Sequence, residues 1–227
     1  MVSIVKVDQI KSSDGTTEYL NAGNIKNATL DSSVTNNSGV SSGAISSNAT
    51  FPAGMILEEF MSPCDGSIIT VQSGTYTVQN VTTALALTTS FVDFTGSSIT
   101  YTPPTGTQTV IYTFSYQWMW EDADAMFMHR LKIGGNEVTK ARRMYSHQGG
   151  SYQEMSNTFQ WAFHIGGSSD TTTGRQADWT SGKEIKLETR EHSASQEVKV
   201  HASYHWDGSA SYQNPLLPLI GIKAIAG

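Results

Sequence analysis

The sequence predicts an all-β protein, an antiparallel jelly-roll β-sandwich that carries an extended N-terminal arm. Three observations lead to this prediction. After residue 51, apolar and polar residues alternate with period two in many short segments, as they do in strands that bury one face. Turn-forming residues separate these segments, and no window shows a convincing helical period. The first 50 residues have too few large apolar side chains to build a core of their own.

The arm, residues 1–50, starts with an alternating segment and continues as a polar stretch. Residues 2–10 alternate, a turn follows at 12–15, and residues 16–20 are expected to return as a second short strand. Residues 21–50 are mostly Asn, Ser, Thr, Gly and Ala, with four larger apolar residues on a five-residue grid. This spacing fits a slender repeat completed by neighbouring chains or, as we favour, an irregular arm lying along a partner.

Both interpretations of the arm require a partner, because the arm gains order only by lying against something else. The predicted anchoring residues are Val2, Ile4, Val7, Ile10, Ile25, Leu30, Val40 and Ile45.

The head domain, residues 51–227, opens at the turn signal Phe51-Pro52-Ala53-Gly54. The alternation is clearest from Val110 to Trp118, where every second residue is large and apolar. A series of about ten to twelve short strands fits a jelly-roll sandwich. The predicted strands are 55–61, 67–72, 75–81, 90–94, 98–102, 109–120, 126–133, 137–145, 157–165, 184–191, 197–206 and 216–225.

Composition and charge exclude several classes of protein. The 227 residues carry a formal net charge of −6, and the tightest basic cluster is Lys140, Arg142 and Arg143. Nucleic-acid-binding proteins usually present a basic face, so we expect no nucleic-acid partner. We also expect no membrane insertion and no secretion by a signal peptide, since no apolar stretch approaches the ~20 residues of a membrane helix. The single cysteine, Cys64, excludes an intrachain disulfide and is expected to be buried.

Several segments resemble a group of virion proteins common in phages of marine bacteria and cyanobacteria. They are the opening at 4–10 with its Ser-Ser-Asp-Gly-Thr turn, the Phe-Pro-Ala-Gly end of the arm, residues 91–103, and the last strand at 219–225. The C-terminal part resembles the trimeric jelly roll of the complement globular head and tumour necrosis factor. The resemblance implies a homotrimer with an attachment arm and an exposed head, located in the virion and made in the host bacterial cytoplasm.

The resemblance favours a structural role, as a trimeric capsid decoration protein of the cement or head-fibre type. Its expected partners are copies of itself and the major capsid protein or a tail protein of the virion. The alternative is a short tail fibre whose head recognises host surface glycans. Exposed aromatic rings bind sugars by stacking, and Trp179 in a Gly- and Thr-rich loop is the residue we expect to be most exposed. The candidate glycan contacts are Trp179, Tyr152 and Tyr212.

Titratable residues give no persuasive catalytic or metal site. His201 and His205 lie four apart in a predicted strand and would share a face, yet no carboxylate or cysteine stands at a ligand spacing. Glu58 and Glu59 are adjacent on a strand and should point to opposite faces, which makes them a poor acid–base pair. The acidic segment 121–124 is expected to be a solvated loop rather than a calcium loop. We therefore expect a protein that is not an enzyme, with no catalytic residue, cofactor or metal.

Overall fold

The structure of the chain is a computed structural model in which two compact units, residues 1–46 and 47–227, are each described by themselves. The residues described in full are 51–121, 124–149, 153–203 and 215–227. Nearer the N-terminus, the strands of the first unit are β1 (Gln9–Lys11), β2 (Glu18–Asn21) and β3 (Asn24–Ile25). The described segments form no helix of the length and apolar character that crossing a membrane requires.

The first unit contains a small antiparallel sheet in the order β1-β2-β3. Ile10 stands opposite Leu20, and Leu20 stands opposite Ile25. The predicted return of the chain as a second short strand is therefore confirmed. Of the predicted anchoring residues, Ile10 and Ile25 lie in these strands. The others, which lie outside the described residues, are Val2, Ile4, Val7, Leu30, Val40 and Ile45.

The second unit, the head, is built from antiparallel strands joined by turns and loops. Its described strands are β4 (Ile56–Pro63), β5 (Ile68–Val71), β6 (Gly74–Thr77), β7 (Leu85–Ala86), β8 (Val92–Asp93), β9 (Ile99–Tyr101), β10 (Thr107–Trp120), β11 (Asp124–Ile133), β12 (Asn136–Gln148), β13 (Gln153–His164), β14 (Lys183–Glu191), β15 (Lys199–Val200) and β16 (Leu219–Ala226).

Two sheets form the layers of the head. Sheet I has the order β4-β16-β10-β15-β7, with β13 on the other side of β10. Sheet II has the order β12-β11-β14, and both β8 and β9 pair with β14. β5 and β6 form a separate hairpin. The predicted all-β antiparallel sandwich is confirmed, and the arrangement is consistent with a jelly roll.

The core lies between the sheets, where the alternation of each long strand places its apolar side chains. Val110, Tyr112, Phe114, Tyr116 and Trp118 of β10 are all buried, as their spacing predicted. Sheet II contributes its own inward set on β11 and β14, including Phe127, Leu131, Ile185 and Leu187. Removing this apolar area from water is the main term that stabilises the sandwich.

One predicted strand is much shorter than expected. Residues 197–206 were expected to form a strand, but within the described part, which ends here at residue 203, β15 comprises only Lys199–Val200. The reason is local, because His201 has a φ of 60°, a left-handed conformation that a strand does not accommodate. The period-two pattern of the sequence does not reveal such a change of backbone conformation.

Candidate interaction surfaces

The outer face of sheet I is apolar where β4, β16 and β10 run side by side. Residues directly opposite each other in antiparallel strands share a face. Met61 is opposite Gly221, and Leu219 is opposite Pro63. Met61 is 59% exposed and Leu219 is 39% exposed. The Met61 side chain lies over Gly221, where an added Cβ would come within 3.2 Å of the Met61 Cε atom.

The same apolar character continues along β4 towards its first residue. Ile56 is opposite Ile225 and is 47% exposed. Between these rows Glu59 and Lys223 are opposite each other, and their charged atoms pair at 3.0 Å. We call this surface the apolar face, and its members are Ile56, Met61, Pro63, Ile111, Leu219 and Ile225. One acidic and one basic residue lie among these rows and neutralise each other.

The outer face of sheet I becomes polar where β13 joins β10. The Ser115 and Thr158 hydroxyls lie 2.8 Å apart, and Gln160 Nε2 donates to Thr113 Oγ1 at 3.1 Å. These side chains satisfy one another and are accessible to water. The apolar face is therefore a local feature of the β4–β16 side and not a property of the whole sheet.

The outer face of sheet II carries paired charges around Glu188, and it also carries Met144, which is opposite Met128 and is 69% exposed. Glu188 accepts hydrogen bonds from Arg130 and from Lys132, the latter at 3.2 Å. The Arg130 guanidinium also lies 4.0 Å from the centre of the Phe91 ring. At the edge of the sheet, Arg142 pairs with Glu137, and the contact holds the pKa of that carboxyl below its usual value.

A polar pocket lies beside the turn between β11 and β12, under the loop that joins β13 to β14. Its volume is about 270 Å³. Its polar lining comprises Asn136, Ser169, Thr171, Arg175, Gln176 and Lys183.

The loop is held by several hydrogen bonds to the sheets. Gly166 N donates to Gln176 O at 2.8 Å, Lys140 N donates to Thr172 O at 3.0 Å, and Trp161 Nε1 donates to Thr173 O at 3.0 Å. The loop also approaches the core closely at Gly174, which has a φ of 77°. A Cβ there would come within 2.9 Å of Phe163, so only glycine fits this position without rearrangement. The walls of the pocket are therefore held in place by the fold.

Trp179 does not lie on the surface, and the expectation that it is exposed is wrong. It is 3% exposed, and its indole N–H donates to Tyr101 O at 2.9 Å. Its ring packs edge-on against Tyr101 and Phe163. The Gly- and Thr-rich sequence correctly indicated a loop but not that the loop folds back over the core. The other two candidate glycan contacts, Tyr152 and Tyr212, lie outside the described residues.

The carboxylates at Glu58 and Glu59 point to opposite faces of β4, as predicted. Glu58 is buried, and its carboxylate accepts hydrogen bonds from Ser73 N, Ser73 Oγ and Tyr101 Oη at 2.8, 2.6 and 2.8 Å. Glu59 stands on the apolar face with Lys223. The arrangement makes Glu58 a structural link between β4, the β5–β6 turn and β9.

The remaining acidic candidates of the sequence are Glu121, Asp122 and Asp124. Glu121 pairs with Lys199, Asp124 is exposed, and Asp122 lies outside the described residues. Among the residues that the structure describes, no group of three or more His, Cys, Asp or Glu side chains is placed to hold a metal ion. Cys64 is buried, as expected, and burial raises the pKa of its thiol to about 12.

Two histidines are buried between the sheets, on either side of Phe94. The ring centres of His129 and His201 lie 5.0 and 5.2 Å from that of Phe94. His129 Nε2 is 2.5 Å from Tyr116 Oη, and His201 Nε2 is 2.8 Å from Thr95 O. Burial lowers the pKa of His129 to about 3 and that of His201 to about 4.

His201 was predicted to share a strand face with His205. That prediction is wrong for His201, because His201 follows β15 and is buried. His205 lies outside the described residues. His129 was missed in the sequence, although it occupies the inward register of β11 between Phe127 and Leu131, and that alternation marks it as a core position.

No protein-family model matches the chain, and no curated protein matches its sequence. One solved structure to which the chain is similar is that of the infectious bursal disease virus Gx strain, with 10% sequence identity and a TM-score of 0.35. The similarity covers 95% of this chain and 46% of that chain, so this chain spans less than half the length of that neighbour. A likeness at this level identifies neither a family nor a function.

Proposed function

We propose that the chain is a structural protein of a phage particle, a trimeric capsid decoration protein whose heads associate through the apolar face and whose arm attaches to the shell. The apolar face is the observation that carries the proposal. Soluble monomers rarely expose a contiguous group of large apolar side chains, and such groups usually mark protein–protein contacts. Met61, Pro63 and Leu219 form such a group on neighbouring strands, and Ile56 extends the apolar face beyond the Glu59–Lys223 pair.

The charge of the chain favours a second copy of itself as the occupant of this face. The chain carries a net charge of −6, so most surfaces of two copies repel each other. The apolar face is an exception, because Glu59 and Lys223 neutralise each other within it. Copies can therefore meet there without bringing unpaired like charges together. A cyclic trimer closes such contacts into a ring, and the sequence resemblance to trimeric jelly rolls favours that number.

The arm supplies the attachment in this proposal. Residues 1–50 are poor in large apolar side chains, which suits a segment that adds strands to, or fills grooves of, another protein. Three arms on one trimer bind together at high effective concentration, so weak individual contacts hold the trimer firmly. The partner is the major capsid protein or, in the tail-fibre version, a tail protein. No catalytic step is assigned to the head.

The mass of the assembly tests the role of the apolar face. We expect the chain to be a trimer at micromolar concentration by light scattering, and the double variant Met61→Glu, Leu219→Glu to be monomeric. The matched control is the double variant Thr158→Glu, Gln160→Glu on the polar part of the same sheet, which should remain trimeric. A monomeric parent chain, or a control that dissociates equally, contradicts the proposal.

The role of the arm is tested on particles of the phage that encodes the chain. A truncation lacking residues 1–50 is expected to stay folded and trimeric but to lose binding to undecorated particles. Cryo-electron microscopy of intact particles should show the arm lying in the capsid lattice. Stoichiometric decoration by the truncated chain, or density for the protein only at the tail, rules out capsid anchoring by the arm.

A further inference from the structure

The polar pocket beside the β11–β12 turn contains two cationic side chains that lack an acidic partner within the described structure. Lys183 Nζ donates to Gln176 Oε1 at 2.6 Å and to the Asp178 carbonyl oxygen at 3.0 Å. Arg175 Nη1 donates to Gly166 O at 3.2 Å. None of the ion pairs between described residues includes either cation. Both side chains keep further N–H donors beyond these contacts.

Of the two acidic residues of the same loop, Asp178 is exposed and the Asp170 carboxylate is hydrogen-bonded within the loop. The Asp170 carboxylate accepts hydrogen bonds from Thr172 N, Thr172 Oγ1 and Thr173 Oγ1, each at 2.8 Å. These contacts lower the pKa of the Asp170 carboxyl and keep it charged within the turn. Arg175 therefore stands close to an acidic residue in sequence without forming an ion pair with it.

The two pocket cations differ from the cations around Glu188 and Asp93 on sheet II in the groups that they contact. On that sheet, Arg130, Lys132 and Lys186 each contact a carboxylate. In the pocket, Arg175 and Lys183 contact only carbonyl and amide oxygens among the described residues. An external anion would supply the acceptor that the fold does not, through charge-assisted hydrogen bonds.

We propose that this pocket binds the carboxylate or sulfate group of an acidic saccharide. Arg175 and Lys183 hold the anion, while the hydroxyls and amides of Ser169, Thr171, Asn136 and Gln176 hydrogen-bond the sugar hydroxyls. A volume of about 270 Å³ suits a single sugar ring better than a macromolecular strand. The net charge of −6 disfavours a polyanion such as nucleic acid, which needs a broad basic surface. This site is separate in sequence and position from the apolar face, and the inference does not depend on assembly.

Binding of small saccharides to the full chain, followed by nuclear magnetic resonance or calorimetry, tests the proposal. The probes are glucuronate, glucose 6-sulfate, neutral glucose and inorganic sulfate. We expect glucuronate or glucose 6-sulfate to bind in the millimolar range or tighter, and glucose to bind at least tenfold more weakly. The two acidic sugars together show which anionic group the pocket prefers.

Variants assign the binding to the pocket. Arg175→Gln and Lys183→Gln should each weaken binding of the acidic sugar about tenfold or more, since each removes a charge-assisted hydrogen bond. The matched control is Lys223→Gln, which makes the same change of charge on sheet I, outside the pocket lining, and should leave affinity within about twofold. Unchanged melting temperatures show that the variants remain folded.

Several results would overturn the inference. Equal affinity for inorganic sulfate and for the acidic sugars means that the pocket recognises a bare anion and not a saccharide. If neither glucuronate nor glucose 6-sulfate binds at millimolar concentration, the pocket is not a binding site for acidic saccharides. An equal loss in Lys223→Gln and Arg175→Gln attributes the effect to general charge.

Discussion

The two outer faces of the sandwich differ in how they meet solvent. On sheet II, Glu188 lies beside Arg130 and Lys132, and these paired charges are compatible with water, although Met144 of the same face is 69% exposed. On the β4–β16 side of sheet I, Met61, Ile56 and Leu219 are exposed around a single pair of charges, Glu59 and Lys223. The two sheets share one interior and the same alternation, so the fold does not dictate this difference. The paired charges suit contact with water, and our proposal assigns the apolar face to contact with protein.

The largest expected effect concerns the interior that both faces share. Between pH 7 and pH 5 the free energy of unfolding should fall by about 4 kcal/mol, about 2 kcal/mol for each buried histidine. The unfolded histidines titrate near pH 6.5, whereas burial lowers the pKa of His129 to about 3 and that of His201 to about 4. As the pH falls below 6.5, the unfolded state binds protons that the folded state does not, and stability is lost. Urea unfolding at several pH values measures this.

The matched variant for this prediction is His129→Gln, which removes one of the two titrations. Its unfolding free energy should depend on pH about half as steeply between pH 6.5 and pH 5. Burial raises the pKa of Glu191, and protonation of that carboxyl on acidification partly offsets the loss. An unchanged slope in His129→Gln means that other groups cause the acid sensitivity.

The next largest effect separates the inner from the outer side of sheet I. Glu58→Ala should destabilise the head by about 3 kcal/mol, because it leaves the donors of Ser73 and Tyr101 without their acceptor. Glu59→Ala removes an exposed ion pair with Lys223 and should cost about 0.5 kcal/mol or less. Equilibrium unfolding in urea measures both. Equal costs for the two neighbours would show that the apolar face contributes to the stability of the monomer.

A smaller effect is expected on the charged face. Glu188→Gln should cost about 1 kcal/mol, because it removes the carboxylate that Arg130 and Lys132 share while their side chains remain mostly covered. The cost should be smaller in 1 M salt, because the Debye length is then only ~3 Å and the charges are screened from each other. Asp93→Asn, at an exposed carboxylate paired with Lys186, is the control and should change stability by less than about 0.5 kcal/mol. A cost for Glu188→Gln that salt does not change points to packing instead of charge.

The sequence predicted the sandwich and much of its core because alternation is a direct consequence of strand geometry. The inward set of β10 and the opposite orientations of Glu58 and Glu59 follow from period two alone. Trp179 and the short β15 could not be predicted in this way, since a loop that folds over the core and a left-handed residue at His201 depend on tertiary contacts. The polar pocket was missed for a similar reason. Asn136 and Arg175 are far apart in sequence and form no motif.

The smallest expected effect tests the apolar face itself. Met61→Ser should change the free energy of unfolding of the monomer by about 0.5 kcal/mol or less, because the side chain is 59% exposed. The measurement is made at a concentration where the chain is dissociated. The same variant should weaken association measurably, since a side chain that is exposed in the monomer is buried only when a second copy covers it. If Met61→Ser instead destabilises the monomer and leaves association unchanged, the side chain serves the head's own packing over Gly221. The contrast between the two faces would then have a purely structural origin.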